Sequence, residues 1–202
     1  MRKLTVRYFI EGEGRIDLQL RLIAGEGGLD KEIKYGEINR PGLALAGFFE
    51  YFAYDRIQIF GQGETAFMNQ LSYDQKVKTY SDFFSYDLLC CIFTHQYVPD
   101  KLFLEYADKK NIPIFLTKRG TTRFTTLFVH VIDEIFAEST TLHATLVDVF
   151  GVGVLLTGKS GVGKSETALE LIERGHRLVA DDMVIVKKID ESLLMGTGSE
   201  IL

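Results

Sequence analysis

Residues 158–165 have the residue types and the spacing of a phosphate-binding loop. Their sequence, GKSGVGKS, fits the pattern G-x-x-x-x-G-K-[ST], in which glycines let successive backbone N–H groups point at a phosphate. A strand-like run precedes the loop and a helix-like run over 166–174 follows it, and the positive end of that helix dipole favours an anion. The predicted nucleotide-binding residues are Gly158, Lys159, Ser160, Gly161, Val162, Gly163, Lys164 and Ser165.

The last two residues of this loop carry side chains that handle phosphate and metal. Lys164 is expected to reach the β and γ phosphates of a nucleotide, and Ser165 to offer its hydroxyl to magnesium. ATP with Mg²⁺ is therefore the expected ligand pair.

Two adjacent carboxylates, Asp181 and Asp182, follow the apolar run 177–180. In P-loop folds an acid at such a strand end holds magnesium or its water, and a second acid beside it can accept a proton from an attacking hydroxyl. A solvated Asp-Asp turn is the alternative, because Asp is a common turn former. Gly175 is expected to end the preceding helix as its C′ residue.

A β-hairpin is predicted upstream of the loop. Extended runs flank Phe150 and Gly151 within residues 143–157, and a two-residue turn there fixes the strand register. That register places His143 opposite Gly158, so an imidazole would lie beside the phosphates. The remaining histidines are expected to be structural or merely exposed: His95, His130 and His176.

The overall composition predicts a globular chain that binds neither nucleic acid nor membrane. Of its 202 residues 46% are hydrophobic, and the formal net charge of -5 leaves no excess of Lys and Arg to neutralise a phosphate backbone. We find neither an apolar run of the roughly 20 residues that a membrane span needs nor a signal peptide, so we expect a cytoplasmic protein. Cys90 and Cys91 are expected to be buried strand residues rather than a disulfide.

The predicted fold class is α/β, with an N-terminal α/β domain followed by a P-loop-containing kinase domain. Short apolar runs alternate with helix-like segments in the first part, which is typical of an α/β layer. The predicted strands there include 57–60, 88–93 and 112–116, with a helix at 101–109.

Three regions follow from this pattern. The N-terminal domain is expected over residues 1–122, and the P-loop kinase domain over 140–202. Apolar residues recur at helical spacing between them, so a connecting amphipathic helix is predicted over 123–138, within a linking region 123–139.

Taken as one string, His143, the hairpin, the loop 158–165 and the run on to Asp182 resemble bacterial HPr kinase/phosphorylase. Residues 38–43, 46–49 and 55–59 are similar to the N-terminal domain of that family, so the resemblance covers nearly the whole chain. It implies a bifunctional enzyme that uses ATP to phosphorylate a serine of the phosphocarrier protein HPr, and that removes the phosphate by phosphorolysis with release of pyrophosphate. It also implies a role in carbon catabolite control and a hexameric assembly.

Carried over residue by residue, the resemblance places the active-site residues of the family on His143, Lys164 and Asp182. Asp182 would shuttle the proton in both directions of the reaction. Ser165 would be a magnesium ligand, and Asp181 is a further candidate ligand.

The sequence departs from the family pattern at three places. Lys159 stands where the family commonly has an acidic residue, and Ala144 follows the histidine where glycine is usual. The family continues beyond Leu202 into a segment with a further magnesium-binding glutamate, so the resemblance implies an incomplete kinase domain here. Two alternatives stay open: a P-loop kinase for another acceptor, and a nucleotide-binding regulatory module without turnover.

Overall fold

The computed structural model describes residues 4–11, 18–189 and 191–198. The chain divides into two compact units, Met1–Ile132 and Asp133–Leu202. Among the described helices none is both long and apolar enough to cross a membrane. The elements up to the end of the first unit are α1 (Tyr8–Glu11), β1 (Arg21–Ala24), a 3-10 turn (Glu26–Gly28), β2 (Ile38–Asn39), α2 (Gly42–Leu45), β3 (Ile57–Phe60), α3 (Gln62–Gln70), α4 (Tyr73–Phe83), β4 (Cys91–Phe93), α5 (Lys101–Lys110), β5 (Ile114–Leu116) and α6 (Thr121–Phe136), which runs on into the second unit.

The first unit is built on a five-stranded sheet in the order β1-β5-β4-β3-β2. Strands β2 to β5 are parallel and are joined by helices, as the alternating pattern predicts, whereas β1 is antiparallel to β5. The predicted strand at 57–60 is confirmed as β3. The strand predicted at 88–93 begins only at Cys91, as β4, because the Leu88 N–H donates to the Tyr86 carbonyl within a turn. The strand predicted at 112–116 begins only at Ile114, as β5, because Pro113 has no N–H to donate to a neighbouring strand.

An aromatic core packs between one face of this sheet and its connecting helices. Phe103 of α5 is fully buried there. Its ring centroid lies 5.6 Å from that of Phe60, 5.4 Å from that of Phe93 and 5.1 Å from that of Tyr80. Edge-to-face contacts of this kind add to the burial of large apolar surface, so this cluster holds α5 and α4 against the sheet.

The other face of the sheet carries Ile59, Ile92 and Phe115, which are adjacent across the parallel ladder. Phe9 of α1 contacts Phe115, and it also contacts Phe128 of α6, with ring centroids 6.3 and 5.3 Å apart. The connecting helix predicted at 123–138 therefore exists as α6, shifted by two residues toward the N-terminus. Its predicted last residue was wrong, because the residue at 138 already belongs to a strand.

Cys90 and Cys91 are both free and fully buried, which confirms their prediction as core residues of a strand region. Burial raises the pKa of both thiols. Because the thiolate is the reactive form, neither cysteine is suited to act as a nucleophile.

Asp100 connects α4 and α5 through a set of hydrogen bonds. Its carboxylate accepts from the Phe103 backbone N–H at 3.1 Å, which caps α5, and from Lys76 Nζ at 2.7 Å and Tyr80 Oη at 2.9 Å. Burial by itself would raise the pKa of Asp100, but the hydrogen bonds from Lys76, Phe103 and Tyr80 outweigh it and hold the pKa below its ordinary value. The ionised carboxylate therefore stabilises the folded unit.

Asp100→Asn should make the stability of the chain less sensitive to acid. A carboxylate whose pKa is lowered by folding contributes stability that is complete above its unfolded pKa of about 4 and is lost as the pH falls through its lower folded value. Asparagine still caps a helix but cannot ionise, so the variant lacks the part of the stability that protonation of Asp100 removes in the wild type. We expect the free energy of unfolding in urea, compared at pH 6 and pH 3, to fall less in Asp100→Asn than in the wild type.

The control is Asp74→Asn, at an exposed carboxylate in the first turn of α4. An equal acid loss in the wild type and Asp100→Asn would contradict the assignment.

The described part of the second unit begins with the end of α6 and then contains two small antiparallel sheets and one further helix. Its elements are β6 (Glu138–Leu142), β7 (Thr145–Val149), β8 (Val152–Leu156), α7 (Lys164–Glu173), β9 (Arg177–Ala180), β10 (Val184–Lys188) and β11 (Leu194–Gly198). One sheet has the order β11-β10-β6, and the other has the order β8-β7-β9. A small core joins the sheets, and its buried members are Ala144, Leu146, Ala180 and Val184.

The predicted hairpin is confirmed as β7 and β8. Phe150 and Gly151 form its two-residue turn, both with positive φ, at 54° and 86°. That is the backbone of a type I′ turn, whose twist matches the flanking strands. The ladder ends at Thr145 and Leu156, in the predicted register.

Candidate functional site

The predicted phosphate loop follows β8, and its last two residues, Lys164 and Ser165, already belong to the first turn of α7. Gly161 and Gly163 have φ of 79° and 95°, the left-handed region that glycine enters without strain, and Gly163 is the N-cap of the helix. Gly158 has φ of 155°, a conformation that other residues rarely adopt, and a Cβ there would lie 2.8 Å from Val162 Cγ1, so a larger residue would strain the loop. The strand, loop and helix context predicted from the sequence is present, and so is the C′ residue Gly175, with φ of 93°.

Lys164 is the first residue of α7 and its side chain turns back over the loop. Its Nζ donates to the Gly158 carbonyl at 3.0 Å and to the Lys159 carbonyl at 3.1 Å. Ser165 follows it in the first turn of the helix. The ammonium group and the hydroxyl therefore stand beside the helix N-terminus, where the partial positive charge of the backbone also favours an anion.

The remaining candidate residues lie where the chain passes from one sheet to the other. His143 and Ala144 join β6 to β7, and residues 181–183 join β9 to β10. The Ala144 N–H donates to the Asp182 carbonyl at 3.3 Å, which links the two crossings. A register shift between β7 and β9 lies next to them, and such bulges re-aim side chains at strand ends.

The two aspartates differ in how their carboxylates are held. Asp181 Oδ1 accepts from Thr145 Oγ1 at 2.6 Å and from the Asp182 N–H at 3.1 Å. The carboxylate of Asp182 takes no hydrogen bond from the part of the chain that the structure describes. Its backbone has φ of 65°, a conformation that Asp and Asn adopt more readily than most residues. The Asp181 carboxylate is thus held by two hydrogen bonds, whereas none of the described residues holds the Asp182 carboxylate.

A cavity of ≈ 440 Å³ brings these segments together. The predicted catalytic residues His143, Lys164 and Asp182 all line it, as do the predicted metal ligands Ser165 and Asp181. Of the loop residues, Lys159 and Val162 do not line it. The full lining is His143, Ala144, Thr145, Gly158, Ser160, Gly161, Gly163, Lys164, Ser165, Glu166, Asp181 and Asp182.

His143 and Gly158 are not strand partners, because the ladder ends two pairs earlier, at Thr145 and Leu156. His143 and Gly158 nevertheless line one cavity. Thr145 also lines the cavity, although it was not among the site residues predicted from the sequence. The signal was available, since side chains two apart on an extended chain point the same way and Thr145 is two residues after His143.

The side-chain oxygen atoms that line the cavity are of the kind that binds a magnesium ion together with a nucleotide. Within the described ranges, no group of three or more His, Cys, Asp or Glu side chains could hold a metal by itself. Magnesium is commonly bound by one or two carboxylates or hydroxyls together with substrate phosphates and water. The Ser165 hydroxyl and an aspartate carboxylate fit that pattern.

Two of the other histidines have structural surroundings. His95 Nε2 accepts from the Thr121 N–H at 3.3 Å, at the start of α6. His176 packs edge-to-face on Phe150, with ring centroids 4.8 Å apart. Neither lines the cavity of the phosphate loop.

Two families of protein domains match the chain, one after the other. Residues 4–132 match the family described as HPr Serine kinase N terminus, and residues 134–202 match the HPr Serine kinase C-terminal domain. Together they account for nearly all of the sequence, and the first alone covers more than half of it.

Individual relatives agree with the family match. An HPr kinase/phosphorylase of Leptospira biflexa is 54% identical over 186 residues, which are 92% of this chain and 58% of that protein. An HPr kinase/phosphorylase of Treponema pallidum is 47% identical over 184 residues, 91% of this chain and 58% of that protein. The chain thus spans 58% of the length of these relatives. A solved structure of the Hpr(Ser) kinase/phosphatase from Coxiella burnetii is 40% identical over 31% of this chain and 37% of that one, with a TM-score of 0.28.

Proposed function

The chain belongs to the HPr serine kinase family, and from that premise we propose that its second unit carries the nucleotide site of an HPr kinase/phosphorylase. The enzyme would phosphorylate a serine of the phosphocarrier protein HPr with ATP, and would remove that phosphate by phosphorolysis. The observation that carries the proposal is the single cavity that Lys164 of the phosphate loop lines together with His143 and Asp182, which come from two separate sheet crossings.

The loop 158–165 would hold the phosphates of ATP through its backbone N–H groups and the N-terminus of α7. Lys164 would exchange its two loop carbonyls for phosphate oxygens, since an ammonium group prefers a charged acceptor to neutral ones. Its positive charge would then stabilise the negative charge of the phosphoryl group and of the leaving ADP during transfer. His143, which lines the same cavity, would add a hydrogen-bond donor.

Ser165 and Asp181 would hold magnesium, which when bound neutralises phosphate charge and orients the phosphates. The support for this assignment is the type of the two ligands and their position in one cavity. Asp181 is the more suitable aspartate for this task because its carboxylate is already fixed by two hydrogen bonds.

Asp182 would transfer the proton in both directions. In phosphorylation its carboxylate would accept the proton of the seryl hydroxyl as the seryl oxygen bonds to the γ-phosphorus and ADP leaves. In phosphorolysis the same carboxylic acid would return the proton to the leaving seryl oxygen, while inorganic phosphate bonds to the phosphorus and becomes pyrophosphate. A carboxylate that no other described residue engages is suited to this exchange.

The same family relationship suggests the setting of the reaction. We expect the protein to act in the cytoplasm, in carbon catabolite control, and to assemble as a homo-oligomer, most simply a hexamer. Sedimentation equilibrium would measure the assembly directly. Neither nucleic acid nor membrane is an expected partner.

Transfer of label from [γ-³²P]ATP tests the proposal. With Mg²⁺ and purified HPr, we expect the label to appear on a serine of HPr. Labelling of a small acceptor in place of HPr would favour a P-loop kinase for another substrate. Binding of ATP in a calorimeter without any transfer would favour a regulatory module without turnover. Either of these results would contradict the proposed function.

A further inference from the structure

Thr145 is a buried threonine whose hydroxyl reaches the cavity of the phosphate loop. It is the first residue of β7, and only 2% of its surface is exposed. Its Oγ1 donates to Asp181 Oδ1 at 2.6 Å, across 36 residues of sequence. The contact therefore joins the start of β7 to the crossing between β9 and β10.

This hydrogen bond determines which oxygen of Asp181 remains available. Oδ1 is engaged twice, by the Thr145 hydroxyl and by the Asp182 N–H. Oδ2 accepts no hydrogen bond from the residues that the structure describes. Asp181 is an exposed residue, so without these two bonds its carboxylate would rotate among several orientations. With them, Oδ1 is held in one place, and Oδ2 of this cavity-lining residue accepts no hydrogen bond from the described residues.

We propose that Thr145 is a positioning residue, which holds the Asp181 carboxylate so that its free oxygen is presented to magnesium. The inference rests on the proposed function, because it assumes that a metal–nucleotide complex binds in this cavity. Thr145 touches neither nucleotide nor metal in this account and acts only through Asp181. Residues that orient a metal ligand by hydrogen bonding typically change metal affinity 10–100-fold when they are substituted.

The packing of Thr145 does not by itself require a hydroxyl. Valine has nearly the same shape, is favoured in strands and would fill the same buried position beside the apolar core. A purely structural role therefore predicts that Thr145→Val leaves the site unchanged. A positioning role predicts that Thr145→Val weakens metal binding and that Thr145→Ser, which keeps the hydroxyl, restores it.

The test is the binding of Mn²⁺, used as a paramagnetic substitute for Mg²⁺, to the full chain in the presence of a non-hydrolysable ATP analogue. The signal of free Mn²⁺ in electron paramagnetic resonance gives the dissociation constant without any turnover. We expect Thr145→Val to raise that constant roughly 10–100-fold, and Thr145→Ser to stay close to the wild type. Thr141→Val, at an exposed strand position of β6, is the matched control and should bind Mn²⁺ like the wild type.

The outcomes separate this inference from the proposed function. If the wild type shows no nucleotide-dependent Mn²⁺ binding, the proposed function itself fails. If the wild type binds Mn²⁺ and Thr145→Val binds it equally well at an unchanged melting temperature, the proposed function stands and the positioning role is wrong. Equal weakening in Thr145→Val and Thr145→Ser would also overturn it, because the serine hydroxyl should rescue the contact.

Discussion

Lys164→Ala should lower the rates of both HPr phosphorylation and phosphorolysis by about 10²–10³-fold or more, the loss expected when one donor to a developing negative charge is removed. The reason is the position of its ammonium group, which lies over the phosphate loop at the N-terminus of α7. The two reactions have different transition states, because ATP donates the phosphoryl group in one and inorganic phosphate accepts it in the other. In both, however, the phosphoryl group is transferred beside the same loop, so both should lose this stabilisation. Initial rates with ATP and HPr, and with phosphorylated HPr and inorganic phosphate, measure the effect.

The control for this variant removes a lysine of the same unit away from the cavity. Lys188 ends β10 and is exposed, so Lys188→Ala changes the net charge equally without touching the site. We expect Lys188→Ala to keep the wild-type rates. The role of Lys164 is wrong if Lys164→Ala also keeps them, or if only one direction is affected.

Substitution of Asp182 should block transfer and spare nucleotide binding. Asp182→Ala removes the proposed proton acceptor, and general acid–base groups typically contribute 10²–10⁴-fold to a rate. Calorimetry with a non-hydrolysable ATP analogue should give a dissociation constant close to that of the wild type, because the loop and Lys164 hold the phosphates. Rates in the two directions should fall together, since one carboxylate serves both.

A second variant at this position separates the loss of the proton acceptor from strain in the backbone. Asp182 has φ of 65°, where alanine is strained by roughly 1 kcal/mol while asparagine is tolerated. Asp182→Asn keeps the shape and the turn but cannot accept the proton, so it should be as inactive as Asp182→Ala and fold like the wild type. An active Asp182→Asn enzyme would show that the proton goes elsewhere.

Local patterns predicted the parts of the site that depend on neighbouring residues. The glycines at 158, 161 and 163 specify the loop, and Lys164 directly after them marks the start of α7. The turn at Phe150 and Gly151 specifies the hairpin register, because a two-residue turn leaves one way to pair its flanking strands. The residues that form these features are close together in the sequence, so hydrophobic periodicity and turn-forming residues were sufficient to predict them.

Contacts between distant segments could not be predicted in the same way. The hydrogen bond from Thr145 to Asp181 depends on the pairing of β7 with β9 and on the register shift within it, neither of which leaves a periodic signal. The second small sheet was missed for the same reason, since β6 pairs with β10 across more than 40 residues. The predicted strand at 88–93 was too long because apolar residues in a buried turn resemble strand residues.

Phosphorolysis tests the central claim most directly, because nucleotide binding or kinase activity alone would fit many P-loop proteins. HPr phosphorylated on serine is incubated with the chain, Mg²⁺ and inorganic phosphate, and pyrophosphate and dephosphorylated HPr are quantified. We predict that the two appear in equal amounts, that their formation requires inorganic phosphate, and that Asp182→Asn forms neither. Release of free phosphate without pyrophosphate, or no reaction by a wild-type chain that binds ATP, would contradict the assignment of this site as an HPr kinase/phosphorylase.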